Sequence, residues 1–195
     1  MIDRTHLLTF LGLADYLIPP LFALVRGPYL PTTLRTSSLS LLATIADTAD
    51  LALLPYAHDI AHAMLDLLQI EGARALAQGQ HQHQHPAEAD ANPNSIPQPP
   101  TVSMDSQPTA ANPIFPPFRR ASLHFLGLLV RAYTRRAYAS ADTGINGPLV
   151  NDFPIRRAAT TLGYIAATDA DAVVRVMAGE VGDAVHTLER ALVGL

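Results

Sequence analysis

Three short segments of the chain share one pattern, in which an arginine precedes a small residue and apolar residues at helical spacing. The segments are LRTSSLSLL, RRASLHFLG and VRVMAGEVG, and their arginines are Arg35, Arg119 and Arg175. The small residue follows each arginine by three positions, as Ser38, Ser122 and Ala178. Apolar residues then recur on the same helical face. Such internal repetition is typical of solenoids, in which helix pairs stack and share one core.

The third segment also carries two aspartates, Asp169 and Asp171, on the turn before its helix. A carboxylate at this place accepts hydrogen bonds from unpaired backbone N–H groups and favours the positive end of the helix dipole. An arginine one turn into the helix can reach back to a carboxylate, or to carbonyls of its own or the neighbouring repeat. The small residue lets a paired helix approach closely. We therefore predict that Arg35, Arg119, Arg175, Asp169 and Asp171 are structural positions of the repeat.

The rest of the ordered sequence also has a helical period, and no segment has the pattern of a strand. The predicted helices are 15–26, 31–48, 51–70, 118–136, 151–167 and 169–192. The expected fold is therefore all-α, a HEAT- or armadillo-type solenoid fragment of about six helices. A generic six-helix bundle is the alternative, but it does not explain the recurring arginines. Without the insert described next, the spacing from Arg35 to Arg119 is about 44 residues, within the usual range for such repeats.

The composition changes sharply after the first three predicted helices. Residues 78–117 are rich in proline, glutamine, asparagine and serine, and such a segment cannot bury enough surface to offset its ordering entropy. We predict first HEAT-like helices at 1–72, a disordered insert at 73–117 and the remaining HEAT-like helices at 118–195. The last part includes a C-terminal motif at 161–190.

The apolar stretch from Leu7 to Val25 is the one segment that suggests a membrane or signal role. It contains Asp15 and the pair Pro19-Pro20, which disfavour a single membrane-spanning helix or a signal peptide. Buried helices of a helical stack are the favoured interpretation, so no membrane contact is predicted.

The residues show no constellation typical of an enzyme, and we predict no catalytic residue, cofactor or metal site. The chain has no cysteine, so it lacks a thiol nucleophile and a disulfide framework. His58 and His62 are spaced as in zinc-protease helices, but Asp59 replaces the glutamate that serves there as general base. Alternating histidines at 81, 83 and 85 lie in the low-complexity insert and could bind metal only weakly.

Charge is concentrated in one part of the chain. Residues 119–157 contain seven arginines against Asp142 and Asp152, whereas the whole chain has a net charge of −4. We predict a surface for an acidic protein partner, formed by Arg119, Arg120, Arg135, Arg136, Arg156 and Arg157. The alternative is that these arginines are solvated helix ends and repeat positions. Nucleic acid is not a predicted partner, because the chain is acidic and offers no aromatic stacking platform.

The order of these segments resembles a known family. The segment LRTSSLSLLATIADTADLALLPYAHDIAHAMLDLLQIE, followed by RRASLHFLGLLVRAYTRR, resembles the C-terminal HEAT region of fungal RNA polymerase II assembly and nuclear import factors. It is similar also to their animal relative, the transport-and-Golgi-organisation protein six. LGYIAATDADAVVRVMAGEVGDAV looks like the short second C-terminal motif of this family. Members are far longer solenoids, so the resemblance implies a fragment or a truncated product.

The resemblance implies a non-enzymatic adaptor that binds RNA polymerase II subunits and the nuclear transport machinery. The expected location is the cytoplasm, with shuttling to the nucleus. The animal branch of the family implies an alternative, a peripheral component of secretory transport at the Golgi. No partner-contacting residue is carried over from the family to this sequence.

Overall fold

The computed structural model describes residues 16–82, 116–143 and 153–193, and all regular structure in these ranges is helical. Residues 16–26 form α1. The remaining elements are α2 (Thr32–Thr48), α3 (Asp50–Leu53), a 3-10 turn (Leu54–Tyr56), α4 (Ala57–Gln82), α5 (Pro116–Thr143), α6 (Ile155–Thr168) and α7 (Ala172–Val193). The prediction of an all-α fold is confirmed, since the described ranges contain no strand.

Prolines and an aspartate set where several helices begin. Pro31 and Pro154 immediately precede α2 and α6, and α5 starts at Pro116. Proline is tolerated there because the first backbone N–H groups of a helix have no intrahelical acceptor. Helix α7 instead begins after Asp171, whose Oδ1 accepts the Val174 N–H at 2.9 Å. Pro19 and Pro20 lie near the start of the described part of α1, which is helical without a break to residue 26.

Helix α5 is the centre of the packing. It lies between α2 and α7 and also contacts α4, while α6 packs against α7 and α4. Helix α1 joins this arrangement through the buried side chains of Ile18 and Val25. One contiguous core therefore draws residues from α1 to α7.

The small residues that follow the three arginines all face the interior. Ser38, Ser122 and Ala178 are buried, as the pattern requires if they allow close packing. Both serine hydroxyls donate to the carbonyl four residues earlier, Leu34 and Phe118, which satisfies them without another partner. A further close approach lies between α5 and α7, where a Cβ on Gly127 would stand 3.3 Å from Cγ2 of Val181.

The helices on either side of the predicted insert extend beyond its predicted bounds. Helix α4 continues to Gln82 rather than ending by residue 72, and α5 begins at Pro116 rather than at 118. The predicted disorder is therefore wrong for residues 73–82 and for 116–117. Residues 73–82 include alanine, leucine, arginine and glutamine, which are good helix formers despite the low-complexity composition. The rest of the predicted insert lies outside the described residues.

None of the helices in the described ranges is both long and apolar enough to cross a bilayer. The first part of the apolar stretch that starts at Leu7 lies outside the described residues.

Candidate functional site

The three repeat arginines occupy equivalent places in three neighbouring helices. Arg35, Arg119 and Arg175 are each the fourth residue of their helix, in α2, α5 and α7. Each guanidinium group turns back towards the chain that precedes its own helix or towards a neighbouring turn.

Arg35 connects three helices to α2. Its Nε donates to the Val25 carbonyl of α1 at 3.0 Å, and its Nη1 donates to Oε1 of Glu71 in α4 at 3.2 Å. The guanidinium carbon also lies 4.0 Å from the centroid of the Phe118 ring in α5, at a distance suited to a cation–π interaction. The side chain is buried, so all three contacts form away from bulk water.

Arg119 forms the most buried ion pair of the described residues. Its Nη2 donates to Oδ1 of Asp169 at 2.9 Å, and both side chains are only 3% exposed. The same Asp169 oxygen accepts the Asp171 N–H at 2.9 Å, while the Asp169 N–H donates to the Ile165 carbonyl at the end of α6. Asp169 therefore ties α5 to the turn between α6 and α7.

Arg175 binds the same turn from its other side. Its Nη1 donates to the Asp169 carbonyl at 2.7 Å and lies 3.3 Å from the Ala170 carbonyl. Arg119 and Arg175 thus both contact Asp169, and all three are residues that we predicted as structural positions of the repeat. The predicted acceptors were a carboxylate or carbonyls, and this turn supplies both kinds.

Asp171 has a separate role and a separate partner. Arg120 donates to the Asp171 carboxylate with Nε at 3.3 Å and with Nη2 at 2.6 Å, in a bidentate contact. Burial raises the pKa of Asp171, but the hydrogen bonds from Arg120 and the Val174 N–H outweigh this effect. The pKa therefore lies below its ordinary value. The carboxylate caps α7 and binds α5 at the same time.

Arg157 makes a further link between helices, from α6 to α4. It donates to Oδ1 of Asp66, and its Nη1 lies 3.0 Å from Nδ1 of His62. Gln69 reinforces the contact, because its Nε2 donates to the buried Thr161 hydroxyl at 2.9 Å. Sequence reasoning placed Arg157 on the partner surface and did not predict this link, because 91 residues separate it from Asp66.

The predicted basic surface is therefore only partly a surface. The structure contradicts the assignment of Arg119 to it, since this residue is 2% exposed and paired with Asp169. Arg120 and Arg157 are only partly exposed, and both are paired with carboxylates. The members that remain exposed are Arg135 and Arg136 at the end of α5 and Arg156 at the start of α6.

The two histidines of HDIAH lie on α4 and face a groove rather than a metal-binding cluster. Their ring centroids are 4.6 Å apart in an edge-to-face arrangement. Among the described residues, no group of three metal-ligating side chains comes together. The groove has a volume of about 640 Å³ and runs between α1 and α4, with Ile18, Phe22 and Tyr56 among its apolar walls.

A smaller cavity of about 360 Å³ adjoins this groove and shares Arg26, Ala63 and Asp66 with it. It is lined by Arg26, Arg35 and Arg74, with Glu71 between the last two. The sequence analysis did not identify this cavity, because its arginines come from three different helices. The only indication of this cavity in the sequence is the spacing of Glu71 and Arg74. They lie one helical turn apart, near the end of the predicted helix 51–70.

The chain was compared with protein-family models, with curated proteins and with solved structures, and no match was found. The resemblance to the polymerase assembly factors therefore stays a prediction.

Proposed function

We propose that the chain is a non-enzymatic protein-interaction scaffold built from stacked helix pairs of the HEAT type. The pairs are α1 with α2, α4 with α5, and α6 with α7. In this arrangement α2, α5 and α7 form one row, and α1, α4 and α6 form the other. Stacked helix pairs present extended surfaces that suit large protein partners better than small substrates.

The observation that carries this proposal is the equivalence of the three arginines. Arg35, Arg119 and Arg175 begin three helices of which the middle one packs against both others, and each binds the end of a preceding helix or a neighbouring turn. The groups that the three arginines bind differ, but all three occupy the fourth position of their helix. A stack of repeated helix pairs explains this shared position, whereas a generic bundle does not.

The proposed partner surface consists of Arg135, Arg136 and Arg156. These three side chains are exposed, whereas Arg119 is buried and Arg120 and Arg157 are only partly exposed. Exposed guanidinium groups can bind carboxylates of a partner, because they form bidentate, charge-assisted hydrogen bonds with them. The partner chemistry is therefore an acidic protein surface.

The identity of the partner comes from the sequence resemblance alone. It favours RNA polymerase II subunits and the nuclear transport machinery, with the chain moving between cytoplasm and nucleus. The alternative is a peripheral component of Golgi transport, for which the apolar stretch beginning at Leu7 is the distinguishing feature.

The test is an affinity capture of purified RNA polymerase II subunits by the tagged full chain. We expect capture by the wild type and a several-fold loss in the double variant Arg135→Glu/Arg136→Glu. The matched control is Arg131→Glu/Arg190→Glu, which changes the net charge equally at two other exposed arginines and is expected to bind as the wild type does. Absence of capture by the wild type would refute the polymerase assignment, and equal loss in both variants would refute the surface.

Proximity labelling in cells separates the two assignments. Recovery of polymerase subunits and nuclear transport proteins is the expected result. Recovery of Golgi coat and secretory proteins in their place would favour the alternative.

A further inference from the structure

The cavity beside Arg35 combines fixed positive charge with room for a small ligand. It lies between the end of α1, the start of α2 and the second half of α4, and its volume is about 360 Å³. A volume of this size matches a small-molecule group and not a folded domain. Leu67 and Ile70 supply an apolar wall, and Arg26, Arg35 and Arg74 supply guanidinium groups.

The three guanidinium groups exceed the negative charge beside them. Glu71 lies between Arg35 and Arg74, and its Oε1 accepts from Nη1 of both, at 3.2 and 3.0 Å. Asp66 also lines the cavity, but it is paired with Arg157 of α6. Among the described residues, no carboxylate lies within salt-bridge distance of Arg26, whose guanidinium instead lies 5.8 Å from the Phe22 ring centroid. Because Asp66 pairs with Arg157, only Glu71 offsets the charges of the three lining arginines. Two positive charges of the cavity therefore remain without a counter-ion.

Two of the three arginines are also held in place before any ligand binds. Arg35 is buried and fixed by the Val25 carbonyl, by Glu71 and by the Phe118 ring. Arg74 shares the Glu71 oxygen and is half-exposed, so its remaining N–H groups can meet a ligand. Preorganised donors lower the entropic cost of binding. Arginine also matches the oxygen geometry of phosphate through paired N–H groups.

We infer that this cavity is a binding site for a phosphate monoester. Such a group carries about −1.5 to −2 charges at pH 7, which balances the excess charge of the cavity better than a single carboxylate does. Two sources share this chemistry, a free phosphate compound and a phosphorylated side chain of a protein partner. The site lies away from the exposed arginines at the end of α5, so the inference goes beyond the proposed scaffold function and does not depend on it.

The test is an NMR titration of the full ¹⁵N-labelled chain at constant ionic strength. The probes are inorganic phosphate, a phosphoserine peptide and the same peptide without phosphate. We expect saturable shifts of the Arg26, Arg35 and Arg74 Nε–H signals with the first two probes and none with the third. Tighter binding of the phosphopeptide assigns the site to a modified partner. Equal affinity assigns it to a free phosphate compound.

Single substitutions distinguish a specific binding site from nonspecific attraction of anions to arginine side chains. Arg26→Gln and Arg74→Gln are each expected to weaken phosphate binding about fivefold, the effect of one partly exposed charge pair. Glu71→Gln is expected to tighten it, because it removes the competing carboxylate but keeps an acceptor for Arg35. Arg190→Gln, an exposed arginine on α7 outside both proposed sites, is the control and is expected to have no effect.

Two results would overturn the inference. One is a titration in which the shifts never saturate. The other is an equal loss of binding in Arg190→Gln and Arg74→Gln. Thermal unfolding of each variant shows whether it is folded, and the two surface variants, Arg26→Gln and Arg74→Gln, keep the test decisive if Glu71→Gln is unstable.

Discussion

Replacing Asp169 by alanine is expected to be among the most destabilising single changes in the described part of the chain. The substitution removes the carboxylate that neutralises Arg119, and both side chains of this pair are 3% exposed. Arg119 has no other way to satisfy its charge, since its Nε already lacks a hydrogen-bond partner among the described residues. The guanidinium must then stay buried without a counter-ion or move to water and disrupt the α5–α7 packing.

The magnitude follows from the burial. Removing one partner of a buried ion pair costs about 3–5 kcal/mol, because the remaining charge stays uncompensated in a medium of low dielectric. The Asp171 N–H also loses its acceptor, which adds about 1 kcal/mol. We expect a loss of about 4–6 kcal/mol in the free energy of unfolding, a large fraction of the total of about 5–15 kcal/mol usual for a domain.

Urea unfolding followed by far-ultraviolet circular dichroism measures this loss. Asp183→Ala, on the exposed face of α7, is the control and should change the free energy of unfolding by no more than about 0.5 kcal/mol. The double variant Asp169→Ala/Arg119→Met should be more stable than Asp169→Ala alone, because it also removes the buried, uncompensated charge of Arg119. The reasoning is refuted if Asp169→Ala costs less than about 1 kcal/mol, or if the double variant shows simple additivity.

Three further predictions concern other contacts. The lowered pKa of Asp171 means that its stabilising effect is complete above its unfolded pKa of about 3.9 and is lost as the pH falls through the folded value. Asp171→Asn should therefore reduce the decline in stability below about pH 5, as measured by urea unfolding at each pH, and an unchanged decline would contradict this. Gly163→Ala, where an added Cβ meets nothing within 4 Å, should stabilise by about 0.5–1 kcal/mol. Gly127→Val should destabilise by about 1–3 kcal/mol because it crowds Val181, and thermal unfolding that ranks the two in the opposite order would refute the packing described. Arg157→Ala should cost about 1 kcal/mol, because its pair with Asp66 is partly exposed, and a urea-unfolding loss above about 3 kcal/mol would show that the link is stronger than its exposure suggests.

The parts of the fold that were predictable from the sequence depend on local spacing. Arg35, Arg119 and Arg175 stand at the same position of three helices, and the helical period places Ser38, Ser122 and Ala178 one turn further on the same side. Asp171 caps α7 through a contact three residues along the chain, so a local rule found it. The all-helical class follows from the same periodicity.

The errors come from contacts between distant parts of the chain. Arg119 and Arg120 are adjacent, but consecutive helical residues point about 100° apart, so one is buried and the other is partly exposed. Sequence alone does not say which of the two is buried. The Arg157 link and the Arg26–Arg35–Arg74 cavity likewise require the packing of α1, α4 and α6 to be known.

The central position of α5 determines how the molecule should come apart. Helices α2 and α7 each lie against one side of α5, whereas α5 is covered on both sides and also by α4. Opening is therefore expected to proceed from the two outer helices inward, and the amide protons of residues 118–133 should exchange with solvent last. A partner that binds only α2 or α7 would then contact a helix that can unfold locally while α5 stays folded.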